Sequence, residues 1–130
     1  YLPDYSISLA TLLVQGADIW LNTPEPGKEA CGTSGMKAGL NGTLQCSIED
    51  GWVGEVSWQS RGWILPEENT ANVLYDLLEH EILPCFYDQS DKGLPQNWIA
   101  RMRSTIELVE NNYTTERMLE QYIKQLYNIV

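Results

Sequence analysis

Residues 28–42 read KEACGTSGMKAGLNG, a stretch that crowds glycines, hydroxyl groups and charged side chains into one short segment. Its glycines allow the backbone to approach other groups closely. Thr33 or Ser34 can cap the start of a helix, and Asn41-Gly42 supplies a left-handed stop. The stretch therefore predicts a loop, two turns of helix and a stop, and we interpret the rest of the chain as its support.

A phosphate site is predicted at the start of this short helix. Unpaired backbone N–H groups and the positive end of the helix dipole attract anions, so a phosphate can lie at Gly32-Thr33-Ser34. Lys37 follows Thr33 by four residues, which places its ammonium group on the same helix face. A buried lysine near a bound phosphate can pair with it or, where its pKa is lowered, react with an aldehyde. Pyridoxal phosphate carries both a phosphate and an aldehyde.

The segments on either side of this stretch predict alternating helices and strands. Residues 6–14 place three leucines on one helical face, which predicts a short packed helix. Residues 17–21 form a short apolar run bounded by turn residues, and residues 44–48 alternate apolar and polar side chains, so both predict strands. Helix, strand, helix and strand in so few residues indicate part of a parallel α/β sheet.

An irregular loop is predicted over residues 50–66, and it contains Trp52, Trp58 and Trp63. Aromatic rings in a loop can stack on the apolar faces of sugars. More often they pin the loop to its own core, and we interpret all three in this second way.

Three amphipathic helices are predicted after the loop. The first begins at Asn69 or Thr70 and is ended by Pro84, and a turn over residues 88–93 follows. The second is opened by Pro95. The third begins at Thr114 or Thr115, and its apolar face is predicted to be buried (Met118, Leu119, Tyr122, Ile123 and Leu126).

Composition excludes several classes of function. The formal net charge is −10 over 130 residues, which argues against nucleic acid or an anionic membrane surface as a partner. The three cysteines have neither paired spacing nor an even number, so we expect reduced thiols and no metal site. The chain begins with tyrosine, as a processed or shortened chain would, and it shows no leader and no long apolar run. A cytoplasmic location is therefore expected.

A family resemblance rests on residues 29–37, EACGTSGMK, followed by Asn41-Gly42 and Asp50-Gly51. With further matches from residue 5 to residue 118, the chain resembles the α-glucan phosphorylases, in particular their shorter bacterial and archaeal branch. The resemblance implies that residues 1–130 are one partial domain. It would be the C-terminal part of a Rossmann-like domain in a GT-B type glycosyltransferase fold, with a helical C-terminal extension.

The resemblance also implies a pyridoxal phosphate site. Lys37 matches the family's lysine that is joined covalently to the cofactor and is the catalytic residue of this segment. Thr33, with the backbone of Ser34 and Gly35, matches the phosphate-binding positions. Tyr5 matches a position that contacts the cofactor region.

Substrate binding is implied for the residues just before the helix. Glu29, Cys31 and Gly32 match positions that bind hydroxyl groups of the reacting glucosyl unit, and a carboxylate suits adjacent hydroxyls because it can accept from both. Many relatives have serine at Cys31, whose thiol is a weak hydrogen-bond partner, so its backbone N–H is the expected contact. The sole histidine, His80, is interpreted as a solvated helix residue.

The implied reaction is retaining phosphorolysis of an α-1,4-glucan by inorganic phosphate to glucose 1-phosphate. The family's N-terminal domain and its basic phosphate clamp match nothing in this sequence, so we expect the chain alone to be inactive. The uncovered sheet edge and apolar surface would meet that missing domain, or another copy of the chain in a homo-oligomer.

Two alternatives remain open. One is a retaining glycosyltransferase of the glycogen-synthase type, which has a related fold, uses a sugar nucleotide and needs no lysine at position 37. The other is a noncatalytic glucan-binding module, against which the joint presence of Glu29, Thr33 and Lys37 argues. Binding of pyridoxal phosphate through Lys37 would separate both from the phosphorylase interpretation.

Overall fold

The computed structural model describes residues 2–88 and 93–127, so most of the predicted turn over residues 88–93 lies outside the described residues. Three parallel strands form one sheet in the order β1 (Ile19–Asn22), β2 (Leu44–Ile48) and β3 (Trp63–Leu65). The predicted parallel α/β arrangement is confirmed. Strand β1 begins two residues later than predicted, and β3 was not predicted because it is only three residues long.

Strand β2 lies at the centre of the sheet, and all five of its residues are buried. Gln45 and Ser47 alternate with apolar residues, a pattern typical of a strand with one face in solvent. They are nevertheless buried, because both faces of a central parallel strand are covered. Gln45 Nε2 donates to the carbonyl oxygen of Gly35 at 3.2 Å, and Ser47 Oγ donates to the carbonyl oxygen of Ile48 at 2.8 Å. The polar positions of β2 are therefore buried and hydrogen-bonded.

Helix α1 (Ile7–Gly16) begins as predicted, with Ser6 Oγ accepting from the backbone N–H of Leu9 at 3.1 Å. The prediction that it is packed is wrong, because none of its residues is buried and Leu12 is 68% exposed. Helix α1 and strand β1 lie at the edge of the described sheet, and several of their apolar side chains are exposed, among them Leu12, Leu13 and Leu21.

Helix α2 (Thr33–Leu40) has Gly32 as its N-cap, so the prediction that Thr33 or Ser34 caps it is wrong. Gly32 turns the chain into the helix with φ +86°, and Thr33 already has helical backbone geometry. The predicted stop is confirmed, since Gly42 also has φ +86°.

Residues 50–66 are more regular than predicted, with a 3₁₀ helix (Gly51–Glu55) before β3. Trp52, Trp58 and Trp63 are all buried, so their interpretation as core residues is confirmed. Trp52 and Trp58 belong to one hydrophobic cluster, whereas Trp63 packs with the sheet residues in a second cluster.

The helix after β3 is not ended by Pro84, which corrects the prediction. Helix α3 (Thr70–Leu77) continues through a π-helical segment (Leu78–Ile82) into α4 (Leu83–Tyr87). The Leu83 N–H donates to Leu78, five residues back, so Pro84 falls in the first turn of a new α segment. A proline is tolerated there because its missing N–H needs no partner.

Helices α5 (Gln96–Asn112) and α6 (Thr115–Gln121) begin where predicted, α5 directly after Pro95 and α6 with Thr114 as its cap. Helix α5 buries Trp98, Thr105 and Val109. The last apolar face lies on α6 and the π segment after it (Tyr122–Leu126). Its predicted burial is wrong, because of its five side chains only Ile123 is half-buried, whereas Met118, Leu119, Tyr122 and Leu126 are exposed. No helix within residues 2–88 and 93–127 combines the length and apolarity that crossing a membrane requires.

Candidate functional site

The candidate site lies at the carboxyl edge of the sheet, where ligands of parallel α/β sheets usually bind. The loop that follows β1 and the turn that follows β2 meet there. Asp50 joins them, because its carboxylate oxygens accept from the backbone N–H groups of Glu29 at 3.0 Å and Gly51 at 2.8 Å. These donors, the Glu29 N–H first, lower the pKa of the Asp50 carboxyl group. Asp50 therefore holds in place the backbone of Glu29, the residue expected to bind sugar hydroxyls.

Replacing Asp50 with asparagine is expected to reduce the sensitivity of the fold to acid. Because the folded-state pKa is lowered, the carboxylate's contribution is present above its unfolded pKa of about 3.9 and is lost as pH falls through the folded pKa. The urea midpoint of the unchanged chain should therefore fall on acidification below about pH 4, and that of Asp50→Asn should fall less. Asp18→Asn, at an exposed aspartate outside this loop, is the matched control. Equal acid responses of Asp50→Asn and the unchanged chain would contradict the assignment.

Trp52 supports the turn from below. Its backbone N–H donates to the carbonyl oxygen of Cys31 at 2.9 Å. Its indole lies close to both glycines of the turn. A β-carbon at Gly32 would be 3.2 Å from Cδ1 of Trp52, and one at Gly35 would be 3.0 Å from its Nε1. The prediction that Gly32 and Gly35 allow close approach is therefore confirmed. A β-carbon at Gly51 would lie 2.6 Å from the same Cys31 oxygen, so that glycine is required too.

Glu29 faces the start of α2. Its side chain is half-buried, and its Oε1 atom would lie 3.1 Å from a β-carbon at Gly32. Since Gly32 has no such atom, the carboxylate can lie directly against the turn. Cys31 is exposed in the same turn.

Lys37 lies one turn into α2, is exposed, and borders a groove between α2 and α1. The groove has a volume of about 250 Å³, and Tyr5, Trp20 and Ser34 line it together with apolar side chains of α1. Tyr5 is 83% exposed, yet it belongs to the same groove as Lys37. The structure thus brings three of the predicted cofactor residues, Tyr5, Ser34 and Lys37, to one place.

The opposite flank of α2 carries the remaining predicted residues. Thr33 and Lys37 line a second groove of about 380 Å³ towards Tyr113. Cys31 and Thr33 line a third, of about 360 Å³, beside Trp52. Gly35 is buried beneath the helix start. Lys37 therefore stands between two grooves, while Thr33 faces away from the one that contains Tyr5 and Ser34.

Apart from Cys31, the other thiols and the histidine lie outside the candidate site. Cys31, Cys46 and Cys85 are free thiols, and burial raises the pKa of Cys46 to about 11. His80 is solvated, as predicted, and its Nδ1 lies 3.2 Å from the Asp76 carboxylate on the preceding turn. Within the two described ranges, no cluster of histidine, cysteine and acidic side chains is arranged to hold a metal ion.

Sequence reasoning missed the two supports of the turn, Asp50 and Trp52. Asp50 was visible in the sequence as an Asp-Gly pair directly after a buried strand, where a carboxylate can accept from the turn's own backbone. Trp52 gave no comparable indication, because only the fold shows that its indole lies under Gly32 and Gly35.

Comparison with known proteins shows which family this sequence resembles. The model of the carbohydrate phosphorylase family matches residues 1–63. The chain is therefore homologous to part of the carbohydrate phosphorylases.

Particular relatives agree with this class. The chain is 39% identical over 98% of its length to glycogen phosphorylase of Aquifex aeolicus, and 41% identical over 98% to glycogen phosphorylase of Mycobacterium tuberculosis. It is 36% identical over 96% to maltodextrin phosphorylase of Thermococcus litoralis. It spans only 20%, 16% and 16% of those three proteins, respectively. The resemblance seen in residues 29–37 is confirmed, and the homologues indicate a portion of a glycogen phosphorylase.

Proposed function

We propose that this chain is the cofactor-bearing part of an α-1,4-glucan phosphorylase that depends on pyridoxal phosphate. The observation that supports this most directly is the groove that joins Tyr5, Ser34 and Lys37 beside the start of α2, within a sequence homologous to glycogen phosphorylases. In this proposal residues 1–130 are a partial domain of a GT-B type fold.

The side chains present fit pyridoxal phosphate. Lys37 supplies an exposed amine, and the Ser34 hydroxyl lines the same groove at the helix start, where the helix dipole favours an anion. Thr33 borders the same helix start from the opposite flank. The aromatic rings of Tyr5 and Trp20 border the same groove as the amine. When bound, the cofactor supplies a phosphate group that can exchange a proton with the substrate phosphate.

Glu29, Cys31 and Gly32 would bind the reacting glucosyl unit. The Glu29 carboxylate, half-buried beside Gly32, can accept hydrogen bonds from adjacent hydroxyls on its solvent-facing side, and the backbone of Cys31 lies in the same turn. Asp50 and Trp52 hold this turn in place, so that the turn has little conformational freedom left to lose when a sugar binds.

The isolated chain would be inactive, because phosphorolysis also needs cations around the substrate phosphate. Among the residues that line the three grooves around α2, only Lys37 and Arg117 are basic, and the chain's net charge is −10. The remaining portion of a longer enzyme would supply that clamp. Its α-1,4-glucan and phosphate substrates, and contact with that portion or with another copy, belong to the same proposal.

The proposal is tested by comparing the affinities of pyridoxal phosphate and pyridoxal for the purified chain, measured by equilibrium dialysis. We expect pyridoxal phosphate to bind at least about tenfold more tightly, since a hydrogen bond to a charged group is worth about 1.5–3 kcal/mol. The double variant Thr33→Ala/Ser34→Ala should lose that advantage, and Thr11→Ala, at an exposed threonine of α1, should keep it.

Equal affinities of the two compounds would overturn the phosphate site. Binding of a uridine diphosphate sugar without any binding of pyridoxal phosphate would favour the glycogen-synthase-type transferase instead.

A further inference from the structure

A separate groove lies on the other side of the chain's core, between the π-α4 region and α5. Its volume is about 930 Å³, within the size range of ligand sites, and it shares no lining residue with the three grooves around α2. Glu81, Tyr87, Asn97 and Arg101 are among the residues that line it. Its polar side chains have no part in the proposed cofactor site.

Buried Trp63 holds two charged groups at this groove. Its indole Nε1–H donates to Glu81 Oε2 at 2.9 Å, and the Arg101 guanidinium carbon lies 4.8 Å from the centre of its ring. One oxygen of Glu81 remains available for a ligand. In the part of the chain that the structure describes, the Arg101 guanidinium forms neither an ion pair nor a hydrogen bond. Trp63 thus holds an acceptor at its indole N–H and a set of donors over its ring, and both groups line the same groove.

The chemistry of the groove favours a neutral ligand rich in hydroxyl groups. Each hydroxyl both donates and accepts, so adjacent hydroxyls can bridge the carboxylate of Glu81 and the guanidinium of Arg101. Asn97 offers a further donor and acceptor. An anion is disfavoured, because Asp88 and Glu81 outnumber Arg101 here and the chain's net charge is −10.

An exposed aromatic ring completes the groove. Tyr87 packs edge to face against Phe86, with ring centres 5.0 Å apart, and is 69% exposed. Its free surface can stack on the apolar face of a sugar ring, which the polar side chains alone could not recognise.

We propose that this groove is a second binding site for α-glucan, distinct from the site around Lys37. The choice of an α-glucan among carbohydrates rests on the proposed function. A polymer held at the second site would raise the effective concentration of its ends near the first.

Maltoheptaose is the probe, titrated into the ¹⁵N-labelled chain while backbone amide shifts are followed by nuclear magnetic resonance. We expect the shifts to include Arg101 and Asn97 and the affinity to fall about tenfold in Arg101→Ala, since a charged hydrogen-bond donor is lost. Arg103→Ala, at an exposed arginine of the same helix that does not line the groove, should bind as the unchanged chain does.

Tyr87→Ala provides a second test that does not disturb the buried Trp63. It should also weaken binding about tenfold, whereas Tyr75→Ala, at a tyrosine of similar exposure on α3, should not. Unchanged affinity in both Arg101→Ala and Tyr87→Ala would overturn the second site. Shifts caused at these residues by glycylglycine but not by maltoheptaose would also overturn it, and would assign the groove to peptides.

The two experiments distinguish a failure of the second site from a failure of the proposed function. If maltoheptaose binds at Arg101 while pyridoxal phosphate does not bind the chain, the proposed function fails and a carbohydrate site remains. If pyridoxal phosphate binds and maltoheptaose leaves Arg101 and Tyr87 unaffected, the second site alone fails.

Discussion

Trp52→Ala is expected to lower the free energy of unfolding by about 3–5 kcal/mol, the usual cost of truncating a buried tryptophan. The side chain is buried in contact with two other aromatic rings, with ring centres 5.1 Å from Trp58 and 5.2 Å from Tyr113. It also fills the space beneath Gly32 and Gly35. Since the free energy of unfolding of a native protein is only about 5–15 kcal/mol, this loss would remove much of the chain's stability.

Urea unfolding followed by circular dichroism measures this effect. Trp52→Phe is the control, because a phenyl ring keeps part of the packing and should lose less stability than alanine does. The amide resonances of Gly32 and Gly35 should shift in Trp52→Phe more than those of the distant Trp63, which belongs to the other hydrophobic cluster. An alanine variant within about 1 kcal/mol of the unchanged chain would show that Trp52 does not support the turn.

Local sequence signals predicted those parts of the fold that depend on local chemistry. The left-handed stop at Gly42, the start of α5 after Pro95 and the start of α6 after Thr114 each follow from backbone rules that act over a few residues. The effect of Pro84 did not follow, because a π segment before it lets the helix continue.

Burial was harder to predict, since it depends on what lies next to each element. The periodicity of α6 identifies an apolar face correctly, but within the described residues little packs on it and its side chains are exposed. Gln45 shows the opposite case, a polar residue that is buried because α2 covers its face of the sheet and accepts a hydrogen bond from its side-chain amide. A pattern of hydrophobic residues indicates which face can be buried, and only the neighbours decide whether it is.

The residues of the candidate site also divide into those that the sequence could predict and those that only the fold shows. Residues 29–37 could be singled out because their types and spacing are unusual and resemble a family segment. Asp50 and Trp52 act from the turn after the next strand, more than a dozen residues away, and their roles depend on how that turn meets the first.

Lys37→Ala is expected to abolish covalent attachment of pyridoxal phosphate to the chain, the second large effect. The Lys37 amine is exposed and borders the groove that contains Ser34 and Tyr5, so the aldehyde of a cofactor with its phosphate at the helix start would be near this lysine. Lys28 lies in the same 15-residue stretch and is also exposed, but it lines none of the four grooves described here. Lys28→Ala is therefore the matched control and should still be labelled.

The central claim is tested most directly by adding pyridoxal phosphate, reducing with borohydride and digesting with trypsin. Trypsin normally cuts after Lys37, but a modified lysine resists cleavage, so one adduct per chain should appear on the uncut peptide of residues 29–61. In Lys37→Ala the peptide of residues 29–61 also stays uncut, because the cleavage site is removed, but it should carry no adduct. In Lys28→Ala the adduct should remain, on a peptide that extends from residue 61 to the chain's N-terminus. Labelling scattered over several lysines, or equal labelling of Lys37→Ala and the unchanged chain, would contradict a cofactor site at α2.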